Sequence, residues 1–254
     1  MELTVNMDWM LTVLLIALRI AAVFVMTPLF ALGGLPARIR LLFVLALSVS
    51  LVSALAVTPP VSVHSLGGLV TAAIGELLFG ALLAFGLFAA FAAFQLAGRM
   101  LDLQMGFGVA SLIDPATRAQ SPLLGTLLNL IAVAVFFAVD GHLMIIRGLA
   151  FSIDHLPPGS TFAAIDTGAV VAQFGGMFVY ALALAAPVLI VLFLVDVAMA
   201  VMARTMPQLN VFIVSMPLKI IVGLFVLVVS IRFMGPLMAR IFEQLFFYWQ
   251  GLMS

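Results

Sequence analysis

Ten acidic and ten basic residues are scattered through 254 positions, and few of them stand where they could act together. Arg19 and Glu76 interrupt long apolar runs, while Asp140, Asp196 and Lys219 lie close to the ends of such runs. A charge at the centre of a membrane helix costs roughly 2.5–3.5 kcal/mol on insertion scales, so it needs a purpose or a partner. An ion or proton path is one purpose. An interhelical pair, a subunit contact or a side chain snorkelling to the interface is the quieter alternative. Proximity to the span ends favours the quieter alternative for Asp140, Asp196 and Lys219. For Arg19 and Glu76 a mutual pair is one option, and it requires that reversing both charges restore what either single reversal loses. Other chemistry finds no foothold. There is no cysteine, and His64, His142 and His155 form no ligand-spaced pair. Nucleophile triads, phosphate loops and HExxH are all missing, so neither an enzyme nor a bound cofactor or metal is expected.

The elements that hold these residues are apolar to a degree no globular core could hide. Hydrophobic residues make up 66% of the chain and charged ones 8%, against roughly 45–50% and 25% in soluble domains. With a mean hydropathy of +1.37, the solvent must be hydrocarbon. The zero net charge argues against nucleic acid, which wants a basic patch. Acids, not a basic leader, precede Trp9, so the first apolar run is expected to be a retained span.

About 20 mostly apolar residues cross a bilayer as a helix. Trp9–Met26, Ile39–Val57, Leu66–Leu96, Leu123–Val139, Val170–Val195 and Val211–Phe233 qualify. Their apolar character on every face excludes the period-two pattern of an outer-membrane barrel. The expected fold is an all-α integral membrane protein of about six long helices arranged as hairpins. Breaks fall at Pro28 to Pro36, at Thr58-Pro59-Pro60, at His155 to Gly159, and between Pro207 and Pro217, since proline disfavours helix in the residue before it. Small residues recur every four positions at Gly80 and Ala84 and at Ala89, Ala93 and Ala97, which predicts close helix contacts. Loop charge sets Arg38, Arg40, Arg99, Arg118, Arg204 and Lys219 against Arg147, Arg232 and Arg240. The positive-inside rule then puts the first group in the cytoplasm and both termini outside.

One stretch does not look dissolved in lipid. Gln104 to Pro122, QMGFGVASLIDPATRAQSP, is polar and broken by glycine and proline. Irregular backbone at bilayer depth survives only where protein or a water-filled cavity satisfies its polar groups. Gly106 and Gly108 flank Phe107 and free the chain from helical geometry, and Asp114-Pro115 starts a turn ahead of Arg118 and Pro122. A fold-back into a cavity and a simple exposed loop both fit these residues.

The run GFGVASLIDPATRAQSPLLGTLLNLIAVAVFFAVDGH, followed later by Arg204-Thr-Met-Pro-Gln-Leu-Asn-Val-Phe and Met216-Pro217-Leu218-Lys219, resembles the FliR family of type III export-gate proteins and its virulence-secretion relatives over nearly the whole chain. The resemblance implies one export-gate domain over 1–254, with about 1–165 similar to one smaller sister protein and about 166–254, a helical hairpin, similar to another. It implies one copy assembled with several copies of both sisters into a helical cone around a pore. A further switch component would sit at the cytoplasmic mouth, and exported flagellar proteins would pass through. The site would be the flagellar basal body in the bacterial inner membrane. Met105, Gly106, Phe107, Gly108, Asp114, Pro115, Arg118 and Pro122 would belong to a pore plug. In it, Met105 and Phe107 suit a deformable seal, though for Met105 plain packing on a helix is the even alternative. Arg204, Pro207, Gln208, Asn210 and Pro217 would form a hairpin tip near the cytoplasmic gate. A secondary transporter using Arg19, Glu76 and Asp140 is the rival, weakened by the lack of an internal repeat. A virulence-type homologue is the alternative within the family.

Overall fold

The computed structural model describes residues 7–25, 36–55, 57, 65–107, 122–159, 166–206, 208 and 210–253. Among them all regular structure is helical: α1 (Met7–Val25), α2 (Ala37–Ala54), α3 (Leu66–Met105), α4 (Leu123–Ala138), α5 (Gly141–His155), α6 (Thr167–Thr205) and α7 (Val211–Met253). Five are long and apolar enough to cross a membrane, or six if the bent pair α4 and α5 counts as one span. The chain is an all-α membrane protein, as its composition requires.

Helix ends depart from the hydropathy limits for physical reasons. The third span continues past Leu96 through Arg99 and Asp102, because nothing breaks helix geometry before Gly106. There φ is +88°, the N–H of Gly106 bonds to the carbonyl of Leu103, and the N–H of Phe107 bonds to that of Asp102. This paired closure with a left-handed glycine is a Schellman stop. Pro217 does not bound the break after α6 as its position suggested. It lies inside α7, as does Pro236, and each costs the ladder one N–H that a membrane helix tolerates. The charge of Asp140 gave no hint of its conformational role. It adopts φ +56°, ψ +31°, a left-handed geometry that Asp accepts better than most residues, and so separates α4 from α5.

The chain divides into two compact units. One comprises Met1–Ala89, Asp140–Phe174 and Glu243–Ser254, the other Ala90–Val139 and Gly175–Phe242. In the first, Leu15, Ile16 and Ile20 of α1, Leu83 and Leu87 of α3, Leu149 and Ile153 of α5, and Leu245 and Trp249 of α7 are buried. Gly80 admits the backbone of α1: a Cβ there would stand 2.5 Å from the carbonyl of Arg19. Trp249 fills a slot over Gly148, whose added Cβ would overlap the indole at 1.9 Å, and its Nε1 donates to the carbonyl of Leu83 at 3.0 Å. The neighbouring Tyr248 hydroxyl donates to the carbonyl of Leu82. In the second unit, Phe242 stacks on Phe94 at 5.7 Å and meets Phe91 and Phe136 edge-on at 5.3 and 5.4 Å.

Candidate functional site at the root of the 104–122 segment

The second unit gathers the residues around both ends of the polar segment. Asp102, in the last turn of α3, is buried. Its Oδ1 accepts from the N–H of Leu124 at 3.0 Å and its Oδ2 from that of Gly125 at 3.2 Å. Those are the N2 and N3 groups that open α4, which a local cap would normally satisfy. The cap position is Pro122, which makes no side-chain cap bond. Asp102 therefore caps a helix that begins some twenty residues downstream. The approach needs glycine at position 98, where a Cβ would lie 2.3 Å from the Cα of Gly125.

Two residues further on, Gln104 donates from Nε2 to Asp196 Oδ2 of α6 at 3.0 Å, and the other oxygen of Asp196 pairs with Lys219 of α7. The two groups are only partly buried, with 21% of the lysine side chain and 37% of the aspartate exposed. Met105 is fully buried and faces Gly223, where an added Cβ would meet its thioether sulfur at 2.9 Å. Gly106 lies beside the Met216 side chain, its projected Cβ 3.6 Å from Met216 Cε. The start of the polar segment and the Met216–Lys219 stretch, far apart in sequence, thus meet. Phe107 and Pro122 are half-buried at its two ends. Gly108, Asp114, Pro115 and Arg118 lie outside the described residues, as does Pro207. Arg204, Gln208, Asn210 and Pro217 are exposed, and the main-chain carbonyl of Asn210 accepts from the N–H groups of Ile213 and Val214 to open α7.

The first unit holds the other candidate. Arg19 and Glu76 do meet, with Nε 2.6 Å from Oε2 and Nη2 3.1 Å from Oε1. Nη1 donates to the carbonyl and hydroxyl of Ser152, and Nη2 also reaches the carbonyl of Leu156. These bonds occupy every donor a guanidinium owns. Glu76 Oε1 accepts in addition from the N–H of Gly159, and Phe79 lies 4.9 Å from Arg19 Cζ. The cluster fastens α1 and α3 to the carbonyl end of α5, where a cation is favoured. Its side chains are 2% and 4% exposed. No group of three His, Asp or Glu side chains among the described residues is placed to hold a metal.

Residues 10–245 match the family described as bacterial export proteins, family 1. The chain belongs to this family. Flagellar biosynthetic protein FliR of Bacillus subtilis is 35% identical over 234 residues, covering 91% of this chain and 90% of that protein. FliR of Escherichia coli is 27% identical over 230 residues, with 90% and 87% covered. Yop proteins translocation protein T of Yersinia pestis is 33% identical over 227 residues, with 87% and 85% covered.

In this bacterial export protein, sequence reasoning missed Asp102 and Ser152. Asp102 stands three residues after Arg99 and passes for half of an i, i+3 surface pair. The available clue was downstream: a helix that opens on Pro122 has no cap of its own and must borrow an acceptor.

Proposed function

We propose that this chain is a non-enzymatic, membrane-embedded component of the type III protein export gate, of the flagellar kind. In this reading it lines the conduit for unfolded flagellar subunits, and its 104–122 segment plugs that conduit at rest. The observation that carries the reading is the convergence of the two family-like stretches. Gly106 lies against Met216, and Gln104, Asp196 and Lys219 join three helices at the same level, within a chain matched to the export family over 10–245. The partners are the two smaller sister proteins in several copies, a switch component at the cytoplasmic mouth, and the exported proteins, in a cone at the inner membrane of the basal body. Residues of about 1–165 take the part of one sister, and the α6–α7 hairpin, with its tip at Arg204 to Asn210, that of the other. Long apolar side chains exposed on both hairpin helices, among them Phe193 at 62% and Phe225 at 69%, suit such neighbours or lipid.

The transporter reading loses Arg19 as a binding group, because every donor of its guanidinium is already engaged inside the protein. The test is deletion of 108–121 in the chain co-expressed with its genomic neighbours. Resting membranes should leak small solutes while the assembly forms and export persists at least in part. An assembled deletion variant that stays tight would remove the plug.

A further inference from the structure

We infer that Asp196 is the positioning residue of the α6–α7 hairpin, fixing where that hairpin stands along the last turn of α3. Three successive residues at the end of α3 meet the hairpin. Gln104 donates to Asp196 Oδ2 at 3.0 Å, Met105 seats against Gly223, and Gly106 lies beside Met216. On α7 the residues that face them, Met216, Lys219 and Gly223, fall at i, i+3 and i+7, a single stripe of the helix. Lys219, in the middle of that stripe, is the residue that pairs with Asp196 Oδ1. One carboxylate thus ties three helices, taking a cation from α7 and an amide from α3.

The two kinds of contact divide the task. Met105 is fully buried, and its side chain fills a recess that glycine leaves: a Cβ at position 223 would stand 2.6 Å from Met105 Cε and 3.0 Å from its Cγ. One turn to either side of Gly223 stand Lys219 and Leu227, so a slipped hairpin offers the methionine no recess. The apolar contact selects the register, and the half-exposed ionic one holds it, at a strength that salt reduces. The hold matters at the far end of the hairpin. Asp196 lies nine residues before the end of α6 and Lys219 eight after the start of α7, so the pair bridges the two arms at nearly matching levels. A helix passes axial displacement along its length. A slip of one turn at the pair would carry Arg204 and Asn210 about 5.4 Å. The inference needs no plug, and none of its readouts is a leak.

The chain has no cysteine, so an engineered pair reports the register without background from its own thiols. Met105→Cys with Gly223→Cys brings two Cβ atoms within disulfide reach, below about 4.5 Å. It also removes the methionine, leaving the ionic contact to hold the register alone. In membranes containing the full chain co-expressed with its genomic neighbours, this pair should oxidise readily. Adding Asp196→Asn should slow the bond about fivefold, the factor a half-exposed ion pair can carry, since asparagine keeps the shape but only one acceptor oxygen. Raising salt to about 1 M, where the Debye length falls to about 3 Å, should slow the aspartate chain and not the asparagine chain. Asp196→Lys with Lys219→Asp should restore the rate, because Gln104 can turn its carbonyl toward a lysine. A space-filling role would leave the rate indifferent to salt and the swapped pair no better than the single change. Gly106→Cys with Met216→Cys should give the same order, and it decides the matter if the first pair prevents assembly. Equal rates with aspartate and asparagine at both salt levels, or a slow rate that the swap leaves slow, would overturn the inference. So would a parent chain that forms neither disulfide, because α3 and α7 would then not meet at these residues.

Discussion

Each of the two units carries an ionic cluster, Arg19 with Glu76 in one and Asp196 with Lys219 in the other, and the two are built differently. In the first unit Arg19 and Glu76 are almost wholly buried, and the main chain of two further stretches completes their bonding. In the second, Lys219 and Asp196 keep part of their surface open, with Gln104 as a third, neutral member. A buried pair with every guanidinium proton engaged and both carboxylate oxygens bonded holds one geometry, because any departure strands a charge away from water. A half-exposed pair can exchange its partner for solvent at little cost. The first cluster suits a fixed frame. The second sits at the root of the polar segment and suits a region that can rearrange.

The largest test of this contrast is Arg19→Ala. It leaves Glu76 buried and unpaired and should destabilise the protein by about 3–5 kcal/mol, read as loss of monodisperse protein after heating in detergent. Arg19→Lys should rescue little, since a point charge cannot replace the fork. The charge-swapped pair Arg19→Glu with Glu76→Arg sharpens the point. It restores the ion pair but not the bonds from position 19 to Ser152 and Leu156, so recovery should be partial. Full recovery would mean that the pair matters and its carbonyl partners do not.

Next comes Gly98→Ala, which places a methyl against the backbone of Gly125 and should cost about 1–3 kcal/mol through overpacking. A change below the resolution of thermal unfolding would show that α3 and α4 can part at the root. Two left-handed residues give smaller effects of opposite sign. Gly106→Ala should lose about 1 kcal/mol and Asp140→Gly should gain up to about that much, both followed by thermal unfolding. The smallest effect belongs to Lys219→Ala, below about 1 kcal/mol and fading as salt is raised. A loss there as large as that of Arg19→Ala would erase the distinction between the clusters.

The fold was legible because lipid leaves few choices: apolar runs of span length must be helices. What hydropathy could not give were the helix ends. The third apolar run stops at Leu96, whereas the helix runs on to Met105 and stops at Gly106, where φ changes sign. Of the candidate site, Gly106 and Pro122 stood out because glycine and proline mark backbone directly. Asp102 did not, because its partners are main-chain N–H groups and main chain has no letter in a sequence. The Arg19–Glu76 pair was one option among several, since spacing along the chain says nothing about which spans lie side by side. Leu156, which completes it through its carbonyl alone, carries no mark at all, and Ser152 adds a hydroxyl to its carbonyl that nothing along the chain links to Arg19.

The slot that receives Trp249 also sets a clock. Its hydrogen-bonding partner Leu83 lies 166 residues earlier, an interval that a ribosome takes on the order of 10–30 s to translate. Once Gly148 has been made the recess over it stands empty until Trp249 follows, and the first unit lacks its last wall. The N-terminal helices must therefore wait in the membrane, unfinished, for a tryptophan not yet made. Any factor that shelters the nascent chain would be needed during that interval and dispensable after it.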